Sequence, residues 1–437
     1  MIMTTFRAAA LVGLLLAVVS PARAEIEIKP VTSPGGIEAW LYEDHTIPIL
    51  TIEASFLGGA ALDPAGKEGA TTLMSALLEE GAGDLDATGF AVAREGLAAR
   101  IGFGAGRSDV TVSATMLVEN RDATVDLLRL ALTEPRFDEA AVERVRGQLL
   151  ASIRNAETDP REMASKAFYA EAFPGHPYAR PVDGTLESVA ALTVEDLRAA
   201  QAAALDRDRL RLAVVGAISA EELGPLLDEL FGELPARGPA LPPVATPVAA
   251  GGTEVIDLDI PQSVVVFGHA GIMRDDPDFV PAFVLDHILG GGGFGSRLTE
   301  EMREKRGLTY GVYTYLAPGD FGALYMGSFS SANARVAEAI GILHAEWARM
   351  AEDGVSEAEL EAAKRYLTGA YPLRFDGNAR IADQLLGLQT AGLGPDYVNV
   401  RNDLVEAVTV EDIARVARRL MHPEALTLVV VGRPEGL

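Results

Sequence analysis

The chain has 437 residues, with 37 Lys and Arg against 63 Asp and Glu, which gives a formal net charge of −26. A surface this acidic repels phosphate, and this argues against nucleic acid and anionic lipid as partners. The chain contains no cysteine, so disulfides, thiolate catalysis and zinc sites built on cysteine are excluded. A hydrophobic content of 49% supports compact folding, and the length is sufficient for two or more domains.

The first 24 residues predict an export signal. Arg7 precedes an apolar stretch from Ala8 to Val19, and Ala22-Arg23-Ala24 forms an A-x-A cleavage site. The alternative, a membrane anchor, is disfavoured because the apolar run is shorter than the roughly 20 residues that span a bilayer. We therefore expect cleavage before Glu25, a periplasmic or secreted protein, and no membrane span in the remaining chain.

Strands and helices alternate irregularly in the segment that follows. Ile49 to Leu57 and Val110 to Leu117 have the alternating apolar pattern of half-buried strands. Ala123 to Leu132 and Glu139 to Asn155 have helical periodicity. This order predicts an α+β module, in which a mainly antiparallel sheet carries helices on one face. No glycine fingerprint opens the first helix, which disfavours a doubly wound nucleotide-binding fold.

A proline-rich stretch then divides the chain. Five prolines, at positions 235, 239, 242, 243 and 247, lie among Ala, Gly, Val and Thr. Such a segment favours an extended backbone and cannot continue a helix or a central strand. We predict an interdomain linker over residues 236–252, between an N-terminal module (25–235) and a C-terminal module (253–437).

The two modules repeat each other, which predicts two tandem homologous copies of one unit. Three pairs of segments match at offsets of 216, 218 and 211 residues, and this small drift indicates a duplication with loop changes. In one pair, Thr193 and Thr409 each open a helix as the N-cap, and an apolar strand follows. The matching pairs are Leu192–Leu197 with Val408–Ile413, Phe137–Ala140 with Val355–Ala358, and Leu78–Gly81 with Leu289–Gly292.

A family resemblance becomes specific at the start of the first module. Phe56 to Gly59 and Gly69 to Leu78 resemble the pitrilysin family, which includes insulinase-like proteases and mitochondrial processing peptidase. The resemblance implies the metallopeptidase fold of the LuxS and processing-peptidase type. In active members, a helical His-x-x-Glu-His motif supplies two zinc ligands and the base that activates the zinc-bound water. The corresponding positions here are Thr72, Ser75 and Ala76.

The family's third zinc ligand, a glutamate on a later helix, is also replaced. The stretch from Glu143 onward resembles the family's and places Ser152 at that position. Threonine, alanine and serine provide neither imidazole nor carboxylate, so we expect no metal in this chain and no cofactor bound by it. None of the six histidines is paired with another at helical spacing near a suitable glutamate.

Other marks of the family are present. Asp159-Pro160 and the stretch from Phe173 to Gly184 resemble the segment that follows the third ligand, and we interpret them as a rigid turn with a capped helix start. In the second module, the stretch from Met302 to Val312 resembles the family's Arg and Tyr pair, here Arg303 and Tyr310. The pattern predicts that Arg303 ends a helix and that Tyr310 begins a strand.

The resemblance implies that Arg303 and Tyr310 donate hydrogen bonds to substrate carbonyls, including the oxygen that becomes negative during hydrolysis. The alternative is that Arg303 forms a surface ion pair with a nearby glutamate and that Tyr310 fills the core. A glycine-rich segment precedes this pair and lacks the Gly-Lys-Ser/Thr of a phosphate loop. It resembles a segment in the non-catalytic partner of mitochondrial processing peptidase, which implies mobile, substrate-binding backbone at Gly290, Gly291, Gly292 and Gly293.

These features favour a non-catalytic subunit of a heteromeric periplasmic zinc metalloendopeptidase. The zinc and the base would belong to a homologous partner in a heterodimer, and Arg303 and Tyr310 would complete the partner's active site on a peptide substrate. The alternative from another class is a peptide-binding or assembly protein with no hydrolytic role. An autonomous protease would need a metal that the first module has no residues to hold.

Overall fold

The structure is a computed structural model that describes residues 26–248 and 250–437. The predicted export signal at residues 1–24 lies outside the described residues. In the part of the chain that is described, no helix is both long and apolar enough to cross a membrane.

The N-terminal module is built on a six-stranded sheet and a small separate hairpin. The strands are β1 (Lys29–Thr32), β2 (Glu38–Glu43), β3 (Ile49–Leu57), β4 (Gly81–Ala82), β5 (Leu85–Asp86), β6 (Arg100–Ala105), β7 (Asp109–Leu117) and β8 (Leu210–Gly216). The order in the large sheet is β1-β2-β8-β3-β7-β6, in which only β2 and β8 are parallel neighbours, and β4 and β5 form the hairpin. The helices are α1 (Ala70–Leu77), α2 (Ala87–Gly96), α3 (Arg121–Thr133), α4 (Glu139–Ala156), α5 (Pro160–Ala172), α6 (Leu186–Ala190), α7 (Val194–Ala204) and α8 (Ala220–Phe231).

The C-terminal module has a five-stranded sheet, with the strands β9 (Gly252–Asp257), β10 (Gln262–Ala270), β11 (Val312–Gly319), β12 (Gly322–Ala332) and β13 (Thr427–Gly432). The strand order is β11-β12-β10-β13-β9, in which only β13 and β9 are parallel. Its helices are α9 (Phe279–Asp286), α10 (Val336–Asp353), α11 (Glu357–Ala370), α12 (Asn378–Thr390), α13 (Tyr397–Glu406) and α14 (Val410–Leu420).

The two sheets share one topology. The order β2-β8-β3-β7-β6 in the first module is repeated as β9-β13-β10-β12-β11 in the second, and the single parallel pair occupies the same place in both. The repeated helix start is also confirmed, since Thr193 caps α7 and Thr409 caps α14. In both, the carboxylate of the aspartate three residues later accepts a reciprocal hydrogen bond from the threonine N–H. The predicted class, α+β in two tandem homologous modules, is therefore confirmed.

Strand β3 shows how the sequence pattern forms the first sheet. Leu50, Ile52, Ala54 and Phe56 alternate along it and are buried in the core beneath the module's own helices. The intervening side chains, including Glu53, point to the opposite face because successive residues of a strand alternate sides. That opposite face is covered as well, by a helix from the other module.

The modules exchange one helix each. Helix α5 of the N-terminal module packs on β10 and β13 of the second sheet, where Phe168 is buried against Val266 and Val429. Helix α12 of the C-terminal module packs on β3 and β8 of the first sheet, where Leu385 is buried with Val215. Each sheet thus has its own helices on one face and a helix from the other module on the second face.

The connecting segments are anchored. Asp159 caps α5 by accepting hydrogen bonds from the backbone N–H groups of Arg161 and Glu162, and Pro160 occupies the first helical position. The predicted turn with a capped helix start is therefore confirmed. In the proline-rich segment, the Ala245 N–H donates to the carbonyl of Phe321 at 2.9 Å and the Val248 N–H donates to the carbonyl of Ala172 at 2.8 Å.

The contact between α12 and the first sheet should depend on pH through Glu53. Burial, with a contribution from the nearby Asp383 carboxylate on α12, raises the pKa of Glu53 to about 7. A carboxyl whose folded pKa is raised stabilises the fold below its ordinary pKa of about 4.5 and loses that contribution as the pH rises through about 7. Because Glu53 is only partly buried, we expect about 1–2 kcal/mol rather than the full value of the shift.

Glu53→Gln should therefore remove part of the fall in unfolding free energy between about pH 5 and about pH 8, as measured by urea denaturation. Glu38→Gln, at an exposed position on β2, is the matched control and should leave the pH profile unchanged. A Glu53→Gln profile that superimposes on the wild-type profile would show that this carboxyl does not titrate between those pH values.

Candidate functional site

The start of helix α1 is fixed by the buried carboxylate of Asp63. This carboxylate accepts hydrogen bonds from the backbone N–H of Gly69 at 2.9 Å, from that of Thr71 at 3.0 Å, and from the Thr71 hydroxyl at 2.6 Å. Burial raises the pKa of Asp63 to about 6, although these hydrogen bonds oppose the shift. An anion at a helix N-terminus also interacts favourably with the helix dipole.

Gly69 allows α1 to begin close to a neighbouring loop. Its backbone has φ +88°, a conformation that favours glycine, and a Cβ at this position would collide with the carbonyl oxygen of Asp183. The loop of residues 181–184 therefore packs directly against the first turn of α1. This contact places the backbone of Val182 beside the positions that would hold zinc in an active relative.

The four positions that replace the zinc motif lie on α1 and α4. The Thr72 hydroxyl donates to the carbonyl of Val182 at 2.9 Å. Ser75 is buried, and its hydroxyl has no hydrogen-bond partner among the described residues. Ala76 and Ser152 are exposed, and α1 and α4 are in contact with each other. The helices that carry the motif in active relatives are thus paired here, with other residues on them.

These residues do not fit a zinc ion. Zn²⁺ in proteins is bound by imidazole, thiolate or carboxylate. The three ligand positions carry none of these groups here, because Thr72 and Ser152 have hydroxyls and Ala76 has a methyl group. The Thr72 hydroxyl, moreover, already donates to a carbonyl. Within residues 26–248 and 250–437, no group of three or more His, Cys, Asp or Glu side chains could hold a metal ion. No chemical step of this chain can therefore be assigned to a metal at α1 and α4.

A cavity of about 550 Å³ lies beside these positions, between the C-terminal end of α4, helix α5 and the loop of residues 181–184. Val182, whose carbonyl accepts the Thr72 hydrogen bond, forms part of its wall. The charged residues on the wall are of both signs, and apolar side chains separate them. The first module therefore has a solvent-accessible cavity next to the former metal position, although none of the four zinc positions lines it. The charged residues of this wall are Arg107, Glu157, Glu162, Lys166 and Asp183.

Arg303 and Tyr310 lie on opposite sides of a short turn in the second module. Arg303 belongs to a π-helical segment, Thr299–Glu304, and Tyr310 lies two residues before β11. The Arg303 guanidinium lies 4.5 Å from the ring centroid of Phe294 and 3.5 Å from the carboxylate of Glu304. The predicted surface ion pair therefore exists, together with a cation–π contact.

Tyr310 is not a core residue. Its side chain is 87% exposed, the highest value among the large apolar and aromatic residues that are exposed in the described structure. The alternative in which Tyr310 fills the core is therefore wrong. A tyrosine with this exposure can present its ring and its hydroxyl to a partner or a ligand.

The glycine-rich segment is more ordered than the sequence predicted. Gly290 and Gly291 belong to a π-helical segment, His287–Gly291, and Gly290 is buried against the Thr314 side chain, which leaves no space for a Cβ. Gly292 lies at the end of this segment, and Gly293 begins a short 3₁₀ turn. The prediction of a mobile loop is thus wrong for Gly290, because packing against Thr314 of β11 fixes it.

Three residues beside this segment were not predicted from the sequence. Phe294 is 75% exposed between two glycines, and Tyr366 on α11 is 62% exposed. The ring of His287 stacks on that of Tyr366 at 5.0 Å between centroids. We use the name aromatic face for the exposed residues Phe294, Tyr310 and Tyr366, together with Arg303, which contacts Phe294, and His287, which contacts Tyr366. An aromatic residue within a run of glycines was the signal that indicated exposure, whereas the position of Tyr366 depends on tertiary packing.

Comparison with known proteins agrees with this geometry. Residues 191–367 match the family described as Peptidase M16 inactive domain. The chain is 27% identical over 376 residues to the non-peptidase homolog YmxG of Helicobacter pylori, covering 85% of each chain. It is 31% identical over 317 residues to an uncharacterized zinc protease of Mycobacterium leprae, covering 71% of this chain and 70% of that protein.

A solved structure extends the comparison to the fold. The crystal structure of a peptidase M16 inactive domain from Pseudomonas fluorescens superposes with a TM-score of 0.87 at 26% identity, covering 93% of this chain and 98% of that chain. The chain belongs to the M16 family of metallopeptidases, and it is a member of the inactive type. This confirms the predicted resemblance to the pitrilysin and processing-peptidase group.

Asp63 should be more important to stability than an ordinary helix cap. Asp63→Ala leaves the buried N–H groups of Gly69 and Thr71 and the Thr71 hydroxyl without an acceptor, so we expect a loss of about 2–4 kcal/mol of unfolding free energy. Asp86→Ala is the matched control, because Asp86 is an exposed cap with a single bond, from the Gly89 N–H, and should cost about 1 kcal/mol. Equal losses in urea denaturation would contradict the anchoring role of Asp63.

Proposed function

We propose that this chain is the non-catalytic subunit of a heteromeric zinc metalloendopeptidase and that Arg303 and Tyr310 contact the peptide held by a zinc-bearing homologous subunit. The observation that carries the proposal is the combination of two features in one chain. The zinc positions Thr72, Ser75, Ala76 and Ser152 lack metal-binding groups, while the Arg303–Tyr310 block is present and its tyrosine is fully presented to solvent.

The turn that carries Tyr310 is held firmly enough to position its side chain. The Leu308 N–H donates to the carbonyl of Met302 at 2.7 Å, and the Ser331 hydroxyl donates to the carbonyl of Leu308 at 2.7 Å. On the other side of Tyr310, the Thr309 hydroxyl donates to the carbonyl of Gly311 at 2.8 Å. A donor on an ordered turn needs little further ordering when it binds a peptide, which favours a role in recognition.

Arg303 is placed so that it retains free donor groups. Its contacts with the Phe294 ring and the Glu304 carboxylate leave its side chain 35% exposed. A guanidinium carries five N–H donors, so Arg303 can keep these contacts and still donate to a peptide carbonyl. Tyr310 and Arg303 would bind and orient the peptide, and a zinc ion of the partner would supply the activation of water.

The aromatic face supports a role in assembly. Phe294, Tyr310 and Tyr366 are aromatic residues with more than half of each side chain exposed, and Arg303 and His287 contact two of them. Tyr, Phe and Arg are enriched in protein–protein interfaces, whereas acidic residues are depleted there. On a chain with a net charge of −26, an aromatic face that carries an arginine and no acidic residue is suited to contact a partner subunit.

We place this assembly in the periplasm or outside the cell. The proposal rests on the sequence of residues 1–24, in which Arg7, the apolar run and the A-x-A site have the order of a cleaved export signal. The absence of cysteine is compatible with an oxidising compartment, since no thiol is available to form a wrong disulfide.

A second candidate is a peptide-binding or assembly protein with no part in hydrolysis. The cavity of about 550 Å³ beside α4 and α5 favours it, because this cavity is lined by charged and apolar groups and does not need a metal to bind a peptide. The two candidates differ in the partner. Co-purification with a zinc-bearing homologue supports the first, and purification with a membrane complex or with no partner supports the second.

The test of the first candidate mixes this chain with its zinc-bearing relative and measures the rate of peptide hydrolysis. Removing a donor to a developing oxyanion lowers kcat by about 100-fold or more, so we expect a loss of that order for Tyr310→Phe. Folding should be unaffected because Tyr310 is 87% exposed.

Tyr366→Phe is the matched control, since it removes a hydroxyl from the same aromatic face and should change the rate less than about twofold. Size-exclusion chromatography of each mixture separates a loss of assembly from a loss of catalysis. An assembled Tyr310→Phe mixture that retains the full rate would overturn the proposal.

A further inference from the structure

A second cavity lies inside the C-terminal module. Its volume is about 380 Å³, it is open to solvent on one side, and it is bounded by α9, β11, α12, α13 and the segment that follows α11. Much of its wall is apolar, with Phe279, Phe283, Leu316 and Leu388 among the lining residues. Cavities of roughly 300–1,000 Å³ with apolar walls and a few polar groups are typical of sites for small organic ligands.

This cavity is the second copy of the one beside the former zinc position. At the offset of 218 residues that relates the two modules, Ile153 corresponds to Tyr371 and Ala156 corresponds to Arg374. Ile153 and Ala156 line the first cavity, and Tyr371 and Arg374 line the second. Lys166 and Gln384, and Ala170 and Leu388, are related in the same way. The duplication has therefore placed a hydroxyl and a guanidinium in the second copy where the first has Ile and Ala.

Three arginines line the second cavity. Arg401 is only 7% exposed, and its guanidinium lies 4.6 Å from the ring centroid of Tyr371 and 5.6 Å from that of Phe283. Arg274 lies 4.2 Å from the ring centroid of Phe279 and donates to the Tyr397 hydroxyl at 2.9 Å. Arg374 is exposed at the opening.

The described residues provide no ion pair for these arginines. Arg401 donates to the carbonyl of Leu367 at 2.8 Å and to the side-chain oxygen of Asn402 at 2.9 Å, both uncharged acceptors. Across the described residues, no ion pair within 4.0 Å includes Arg274, Arg374 or Arg401. The one carboxyl of the lining, on Asp286, accepts a bond from the Thr314 hydroxyl at 2.6 Å, and burial raises its pKa to about 6. A buried, unpaired arginine is costly unless an anion joins it.

A buried hydroxyl faces the same space. Tyr371 is 8% exposed, and its hydroxyl has no hydrogen-bond partner among the described residues. Burial raises the pKa of this hydroxyl, and the charges of Arg401 and Arg374 act against the shift. The Arg401 guanidinium lies 4.6 Å from the ring centroid of Tyr371, and Arg374 lines the same cavity. A buried donor without a partner loses free energy that a ligand oxygen would restore.

We propose that this cavity binds an organic carboxylate with an apolar body. Arg401, Arg374 and the Tyr371 hydroxyl would donate to the carboxylate, because a guanidinium and a carboxylate form charge-assisted hydrogen bonds of matched geometry. The aromatic and aliphatic walls would bury the apolar body. The free C-terminus of a short peptide with an apolar last residue has this chemistry, and so does a medium-chain carboxylic acid. The site lies within one chain, so its occupancy does not depend on the proposed function.

The experiment is isothermal titration calorimetry of the full-length wild-type chain, without partner, with N-acetyl-leucyl-phenylalanine and with its C-terminal amide. The acid should bind at one site per chain, and the amide should bind at least about tenfold more weakly because it has no negative charge. Octanoate and inorganic phosphate are the further ligands. Octanoate that binds as tightly as the acid identifies a free carboxylic acid as the ligand, whereas binding of the peptide acid alone identifies a peptide terminus.

Variants locate the binding. Arg374→Gln, at the exposed opening, should fold normally and weaken binding of the acid by about tenfold, and Tyr371→Phe should weaken it by a smaller factor. Arg380→Gln is the matched control, because Arg380 is an exposed arginine on α12 that does not line the cavity. Three results would overturn the proposal: equal binding of acid and amide, an unchanged affinity in Arg374→Gln, or no saturable binding at about 1 mM acid. Phosphate binding as tight as that of the acid would also overturn it, since the apolar body would then contribute nothing.

Discussion

The exchange of helices between the two sheets is the packing constraint on which the rest of the structure depends. Strands β8 and β13 each have a neighbouring strand on both sides, and their residues 212–215 and 428–431 are apolar and buried, so both faces of these strands are apolar there. The helices of each module cover only one of these faces. The other is covered by α5 or α12, which comes from the opposite module and buries Phe168 or Leu385. Burial of one such side chain contributes about 1.5–3 kcal/mol, and neither module can complete its own core.

The two cavities follow from this exchange, because each lies beside an exchanged helix: the first next to α5 and the second next to α12. Their chemistry is different. The first lies beside the former metal position, where α1 and α4 carry no metal-binding groups. The second has arginines without an ion pair among the described residues, and one of them, Arg374, is at the position related to Ala156. The fold does not need zinc to hold α1 in place, since the Asp63 carboxylate and the close approach at Gly69 fix its first turn. The helices of the family are therefore kept although the metal positions have changed.

Much of this architecture could be predicted because it is encoded by local patterns. Strand β3 begins and ends at the predicted residues, Ile49 and Leu57, since its apolar residues alternate without interruption. The repeat offsets predicted two homologous modules, and the shared strand order confirms them. The emptied metal positions were also visible in the sequence, because the identity of a side chain alone decides whether it can bind zinc.

Other features depend on tertiary packing and could not be predicted. The apolar residues of α5, which include Phe168, indicate that one face of this helix is buried, but they do not indicate which of the two sheets covers it. Gly290 reads as a flexible residue in the sequence, whereas the contact with Thr314 holds it in a helical turn. The cavity of the C-terminal module brings together Arg274, Arg374 and Arg401, and no local sequence pattern connects positions so far apart. The sequence is likewise compatible with a Tyr310 that fills the core and with one that faces a substrate, and only the packing around it distinguishes the two.

The central claim is that this chain cannot bind the catalytic metal of its family. The most direct measurement is the zinc content of the tag-free chain after dialysis, first against excess zinc and then against metal-free buffer, by mass spectrometry of the dissolved metal. We predict far less than one zinc per chain, because Thr72, Ser75, Ala76 and Ser152 provide no imidazole or carboxylate. One tightly retained zinc per chain that is lost in the Thr72→Ala and Ser152→Ala double variant would contradict the account.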